Sequence, residues 1–308
     1  MGRGSISGAF LGKETIMMSA LPYLVIALVG GLPSNVSALA GQPSPRQRNA
    51  SVDNEQTRLS EAEQMTRLGM VHLNKKEYAR ARQLLCKSLE TCTEVLGKDH
   101  LVTAWHMNVV GCLCVWMDDY SAAERHLQQA LAVFKKALGD EHPSVIDTLN
   151  NLGGLYVKVA DYDRAGPLLL QVMKSQKKRF GEEHPNYAAS VTNVGLLYLR
   201  TGKYEQSEAH LREGLEIYRK RLGEKHVAYA HTLEQLGQLY TAKGDYSAAE
   251  SLVRQALDIG EKVLTSDDPL LAQCLESYAV LLRKTARDAE ARTMELRART
   301  IREERAKR

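Results

Sequence analysis

The sequence predicts an all-α fold, a right-handed solenoid of six antiparallel helix-turn-helix units. Three observations lead to this prediction. Tyrosine, glycine and histidine each recur every 42 residues, apolar residues within a period follow helical spacing, and glycine or proline stands where each helix should end or begin. Six periods fill residues 55–306 of the 308-residue chain. The tyrosines that mark the period are Tyr78, Tyr120, Tyr162, Tyr204 and Tyr246.

Composition narrows the class of protein. The chain has 41 Lys and Arg against 37 Asp and Glu, and its formal net charge is only +4, so nucleic acid is not an expected partner. Hydrophobic residues make up 44% of the chain, which also has just 8 prolines, and this excludes a disordered or collagen-like protein. We therefore expect a folded, mostly soluble protein.

The first 40 residues differ in composition from the rest and predict a secretory signal peptide. Arg3 and Lys13 precede an uncharged run at residues 16–32, and the small residues Ala38 and Ala40 follow it. The alternative is an uncleaved N-terminal anchor, because this run is close to the shortest length that spans a membrane. In either case the rest of the chain would be exported, periplasmic or secreted, and the anchor would tether it through residues 16–32.

The remaining chain divides into a linker, the array and a short tail. Residues 41–54 are polar, contain proline and show no apolar period, which predicts a linker. The array occupies residues 55–306, and residues 307–308 form the tail.

The first helix of each unit, the A helix, is predicted from apolar spacing. In the third unit Leu149, Leu152, Leu155 and Tyr156 lie three or four residues apart. Glycine is placed to end such a helix in the left-handed conformation. This applies to Gly202 and Gly244.

The second helix, the B helix, is predicted to begin at the repeated tyrosine. Asp119, Asp161 and Asp245 directly precede it and can cap its N-terminus. Glycine can stop it after its last turn, and proline can then occupy the first position of the following A helix. The sequence pairs that end B helices are Leu138-Gly139, Phe180-Gly181 and Leu222-Gly223, and the prolines are Pro143, Pro185 and Pro269.

Small residues recur where the two helices of a unit should cross. Gly153 and Ala165 occupy these positions in the third unit, and their equivalents lie one period away. A side chain larger than a methyl group there would push the helices apart, so the spacing predicts close packing within each hairpin.

Three stretches of the third unit carry a resemblance to a known family: residues 150–156 (NNLGGLY), 161–165 (DYDRA) and 181–185 (GEEHP). The chain resembles tetratricopeptide repeats of the 42-residue kinesin-light-chain type over residues 55–306. The resemblance implies the solenoid fold and a role in protein interaction. The first and sixth units depart from the pattern, as expected of units that cap an array.

Histidine and cysteine are the residue types in this chain that would serve as metal ligands or catalytic groups. His100, His142, His184 and His226 lie one per unit, too far apart to share a metal ion, so we expect them to cap helices. No metal site, cofactor or catalytic constellation is expected. The five cysteines are predicted to be small buried residues, with a disulfide from Cys86 to the following helix as the alternative. They are Cys86, Cys92, Cys112, Cys114 and Cys274.

The candidate binding surface is the concave face, which the resemblance implies is lined by A helices. Residues 42 positions apart occupy equivalent places in successive units and so form columns along this face. Two columns are rich in amide side chains, which can hydrogen-bond an extended peptide backbone. A third column contains cations that can pair with carboxylates. The alternative is that these are merely solvated helix faces. The predicted peptide- or partner-binding residues are Arg67, Asn108, Trp116, Asn150, Asn151, Lys158, Asn193, Arg200 and Gln235.

Three functions remain open from the sequence. The first is a non-enzymatic scaffold that binds an extended peptide or a partner protein in the concave groove. The second is a membrane-tethered, exported assembly subunit that acts by surface docking. The third, a thiol-dependent enzyme, would require a reactive Cys112 or Cys114.

Overall fold

The computed structural model describes residues 50–75, 77–266 and 268–306, and these residues form helices and turns without a strand. Consecutive helices pair into six hairpins that stack in chain order, as the period predicts. The predicted signal peptide or anchor, the linker up to residue 49 and the tail lie outside the described residues. The twelve described helices are α1 (Ala50–Asn74), α2 (Tyr78–Leu96), α3 (Leu101–Trp116), α4 (Tyr120–Leu138), α5 (Pro143–Lys158), α6 (Tyr162–Phe180), α7 (Pro185–Arg200), α8 (Tyr204–Leu222), α9 (Val227–Lys243), α10 (Tyr246–Val263), α11 (Pro269–Lys284) and α12 (Asp288–Ala306).

Side-chain caps fix the starts of the B helices where they were predicted. The carboxylate of Asp119 accepts a hydrogen bond from the backbone N–H of Ala122 at 3.2 Å. Asp161 and Asp245 do the same for the residues three positions after them, at 3.1 Å. Each bond satisfies an N–H group that the first turn of a helix leaves unpaired.

The repeated histidines cap the A helices, which confirms their structural role. In His100, His142, His184 and His226 the Nδ1 atom accepts from the backbone N–H two residues later, at 3.1 to 3.2 Å. In the sixth unit Asp268 stands in the histidine position and accepts from Leu270 N at 2.9 Å. The residue changes there, but the cap is kept.

The turn from A helix to B helix requires one residue in the left-handed conformation. Gly202 and Gly244 take it, with φ of 74° and 83°, as predicted. The residues at this position in other units are Asp118, Ala160 and Ala286, and their φ angles are also positive, between 58° and 60°. The turn therefore imposes this conformation even where no glycine is present to lower its cost.

Close packing within the hairpins follows from the small residues. A Cβ atom added to Gly153 would lie 2.6 Å from Leu169 Cδ2, which is too close for any real contact. Ala165, on the facing helix, is completely buried. The prediction of a close crossing at Gly153 and Ala165 is therefore confirmed.

Helical structure begins earlier than the repeat does. α1 starts at Ala50, so the described structure continues five residues upstream into the segment 41–54 predicted as a linker. Among the described residues no helix is long and apolar enough to cross a membrane.

Candidate functional site

The inner face of the stack is formed by the A helices. From the second unit onward, neighbouring A helices pack against each other more extensively than neighbouring B helices do, which indicates a stack that curves toward the A-helix side. We use "inner face" for the side of α1, α3, α5, α7, α9 and α11 that this curvature turns inward. All nine predicted binding residues belong to these helices.

The predicted amides pair with each other across neighbouring A helices. Asn151 Nδ2 donates to Asn108 Oδ1 at 3.0 Å and also approaches Cys112 Sγ at 3.2 Å. Asn193 Nδ2 donates to Asn150 Oδ1 at 3.2 Å, one unit further along. We call this series of bonds the amide ladder. Because each bond joins consecutive units, the ladder first of all holds the units together.

The expectation that these amides lie on an open surface is wrong for three of them. Asn108, Asn151 and Gln235 are buried, with exposed fractions of 7%, 8% and 1%. Neighbouring A helices come so close that side chains at these positions face each other instead of the solvent. Asn150 and Asn193 remain partly exposed.

A buried carboxylate continues the ladder at the C-terminal end of the inner face. Glu234 is fully buried and accepts hydrogen bonds from Ser277 Oγ, from Gln273 Nε2 at 2.9 Å and from Gln238 Nε2 at 2.5 Å. Burial raises the pKa of this carboxyl group, because the charged form loses its hydration. Three donors in a dry site fix its position between α9 and α11.

The ladder has no described bond between α7 and α9. Gln235 stands where Asn151 and Asn193 stand in earlier units, and Thr192 occupies the position of its expected acceptor. The Thr192 hydroxyl instead donates to Ala189 O, in its own helix, at 3.0 Å. As a result both amide atoms of Gln235 are buried without a described hydrogen-bond partner.

The two predicted cations have different surroundings. Lys158 Nζ donates to Val115 O at 3.2 Å and forms an ion pair with Asp118 at 2.8 Å, so its charge is already compensated. Arg200 donates through Nη2 to Gln238 Oε1 at 3.0 Å, and its Nε has no partner among the described residues. No described carboxylate forms an ion pair with Arg200, and burial lowers the pKa of its guanidinium.

The remaining predicted residues lie toward the N-terminal end. Trp116 is partly buried and stacks on Tyr78, with ring centroids 6.0 Å apart. Arg67 is exposed and forms only a loose ion pair with Glu63, at 3.7 Å. The structure thus places Arg67 and Trp116 in the first two units and the unpaired Arg200 in the fourth.

Asp147 of α5 is not among the residues predicted from the sequence. This residue is partly exposed, has no hydrogen bond or ion pair within the described chain, and burial raises the pKa of its carboxyl group to about 6. Arg179 opposes that rise. Its column also holds Trp105 and His231, one and two periods away, and reading that column by adding 42 residues would have drawn attention to it.

The thiols lack the features of a nucleophile. All five cysteines are free and four of them are buried. Burial raises the pKa of Cys112 far above its usual value and that of Cys114 to about 11, so neither forms a thiolate near neutral pH. The thiol-enzyme hypothesis therefore has no support in this site, and the disulfide from Cys86 is not formed.

Comparison with known proteins identifies the repeat. The family model described as tetratricopeptide repeat matches residues 61–136, 113–178, 144–220 and 187–262, about two thirds of the chain. No curated protein sequence matches the chain significantly.

Solved structures share the fold at low sequence identity. BtubC from P. vanneervenii has a TM-score of 0.52 at 18% identity and covers 82% of this chain and 91% of its own. The kinesin-light-chain repeats from Podospora anserina reach 0.50 at 24% identity, over 66% of this chain and 96% of theirs. A Rap protein complexed with competence and sporulation factor reaches 0.60 at 16% identity, over 83% and 79%. At these identities the likeness concerns the fold alone.

Proposed function

The chain belongs to the tetratricopeptide repeat family, and on that premise we propose that it is a non-enzymatic scaffold that binds an extended peptide of a partner protein along its inner face. The structurally similar Rap protein is seen in complex with competence and sporulation factor, which is consistent with such a role. Asn150, Asn193, Lys158 and Trp116 would line the bound peptide.

The surroundings of Arg200 are the main evidence for this proposal. Its guanidinium is largely withdrawn from water, its Nε has no described hydrogen-bond partner, and no described carboxylate forms a direct ion pair with it, although the buried carboxyl group of Glu234 attracts it from a greater distance. A partly desolvated cation gains most when an anion arrives that can accept several of its hydrogen bonds. The preferred peptide should therefore carry an Asp, a Glu or a C-terminal carboxylate.

A random peptide library selected on the full chain tests this. We expect the selected peptides to be enriched in acidic residues, and Arg200→Ala to weaken their binding about tenfold, or about 1.4 kcal/mol. Binding should also weaken as salt concentration rises. Arg125→Ala is the matched control, because Arg125 is exposed on the outer helix α4 and makes no described ion pair. Equal binding by both variants would contradict the proposal and favour docking through an outer surface.

We also propose that the protein is exported and that residues 1–40 are removed on the way. Mass spectrometry of the mature protein should then find Gly41 at the N-terminus. A protein that keeps residues 16–32 and is extracted only by detergent would instead support the tethered docking subunit.

A further inference from the structure

The first A helix exposes side chains at positions that every later unit buries. Leu68 is 48% exposed and Val71 45%. The residues equivalent to Val71 are five leucines, all buried. Those equivalent to Leu68 are buried as well, and they are Val110, Leu152, Val194, Leu236 and Tyr278.

The reason for this difference is the missing neighbour. In units two to six the A helix that carries these positions packs against the preceding unit, and no described unit precedes α1. Repeat arrays usually place polar residues on such an end. Leu68 and Val71 are instead apolar, like the residues that form contacts between internal units. An exposed apolar surface of this kind is typical of a site that binds a partner.

The C-terminal end has the opposite character. Glu295 and Arg299 of α12 occupy positions that hold leucine, valine or methionine in the other five units. Both are charged and engaged locally, Glu295 with Arg283 at 2.8 Å and Arg299 with Glu303 at 2.6 Å. Stacking the exposed face of α1 on this end would bury charges against leucine, which disfavours head-to-tail filaments.

The exposed side of α1 is complementary to itself. Glu61, Gln64, Leu68, Val71 and Lys75 are spaced by three or four residues and share one side of the helix and its following turn. We call them the α1 stripe. An acidic residue stands at one end and a basic residue at the other, each seven positions from Leu68.

We propose that a second copy of this chain covers the α1 stripe, with the two α1 helices antiparallel about a two-fold axis at Leu68. This arrangement places Leu68 against Leu68 and pairs Glu61 of each copy with Lys75 of the other. Neither residue has an ion pair within the described chain. The contact is the same on both copies and therefore closes as a dimer.

The length of the α1 stripe indicates how strong the dimer should be. The stripe extends over about 21 Å of helix at 1.5 Å per residue. Glu61, Gln64 and Leu68 of the stripe form one wall of a groove of about 620 Å³ between α1 and α2, which can receive side chains of the other copy. A contact of this size is at the small end of specific interfaces, and dissociation at micromolar concentration is expected.

Analytical ultracentrifugation of the full chain, in mild detergent and from about 1 to 100 µM, tests the dimer. Detergent is included because the apolar run 16–32 could itself drive association. We expect twice the monomer mass at high concentration and a monomer for Leu68→Arg. Leu296→Arg is the matched control, since Leu296 is the most exposed leucine described, at 65%, and this variant should still dimerise. Circular dichroism checks that each variant keeps its helices.

Charge reversal tests the antiparallel pairing. Glu61→Lys and Lys75→Glu should each weaken the dimer at least fivefold, and the two changes together in one chain should restore it. A monomer at all concentrations, or a dimer that Leu68→Arg leaves intact, would overturn the proposal. Failure of the double reversal to restore association would overturn the antiparallel arrangement.

Discussion

The side-chain amide of Asn151 donates a 3.0 Å hydrogen bond to Asn108, 43 residues earlier on the neighbouring A helix. Both side chains are buried, so Asn151→Ala leaves the Asn108 oxygen without a partner in a dry contact. We expect a loss of about 1–3 kcal/mol in the free energy of unfolding, measured by urea denaturation.

Asn193→Ala is the matched control for this bond. Asn193 makes the equivalent bond to Asn150, but both residues are partly exposed, so water can replace the lost partner. Its loss should stay below about 1 kcal/mol. Equal losses for the two variants would mean that burial does not decide the strength of the ladder.

The contrast between these two bonds shows what the sequence could predict. Period and capping residues placed the predicted B-helix starts at the repeated tyrosines, and assigned the caps to Asp119 and His142, because these depend on neighbours within a few residues. The 42-residue spacing also predicted that Asn108 and Asn151 lie on the same side of the A helices. It could not show that the two amides face each other, because that depends on the distance between units.

The same limit explains what was missed at the site. Lys158 and Arg200 are equivalent by period, yet Asp118 compensates the first and no described carboxylate pairs with the second. The 42-residue period does not show which acidic side chain lies close enough to form an ion pair with each cation. The sequence also shows that Asp147 shares a column with Trp105 and His231, but its burial and its lack of described partners depend on packing and could not be predicted.

Gln235 is the weak point of the ladder, because its two buried amide atoms have no described partner. Gln235→Met keeps the length of the side chain and removes the unsatisfied groups. We expect a gain of about 1 kcal/mol in the free energy of unfolding. Gln238→Met should lose stability, since Gln238 bonds both Glu234 and Arg200. A clear loss for Gln235→Met would indicate that an internal water bridges its amide.

Ala160 holds a backbone conformation that alanine disfavours, with φ of 60°. Gly202 occupies the equivalent position in the next unit, so the turn itself accepts glycine. Ala160→Gly should raise the melting temperature, through a gain of about 0.5–1 kcal/mol. The reverse change, Gly202→Ala, should lose a similar amount. If Ala160→Gly instead lowers the melting temperature and Gly202→Ala raises it, the entropy of the unfolded chain outweighs the backbone strain.

His231 should make the stability of the array depend on pH. Its side chain is buried, its Nε2 has no described partner, and burial lowers the pKa of the imidazole from 6.5 to about 4. The unfolded chain binds a proton below pH 6.5, whereas the folded chain does so only near pH 4. Stability from this group is therefore complete above pH 6.5 and is lost as the pH falls toward 4, by about 3 kcal/mol in total. His231→Leu should remove this part of the pH dependence, which urea denaturation at several pH values between 4 and 7.5 measures. An unchanged slope in the variant would mean that the imidazole is solvated in the folded protein.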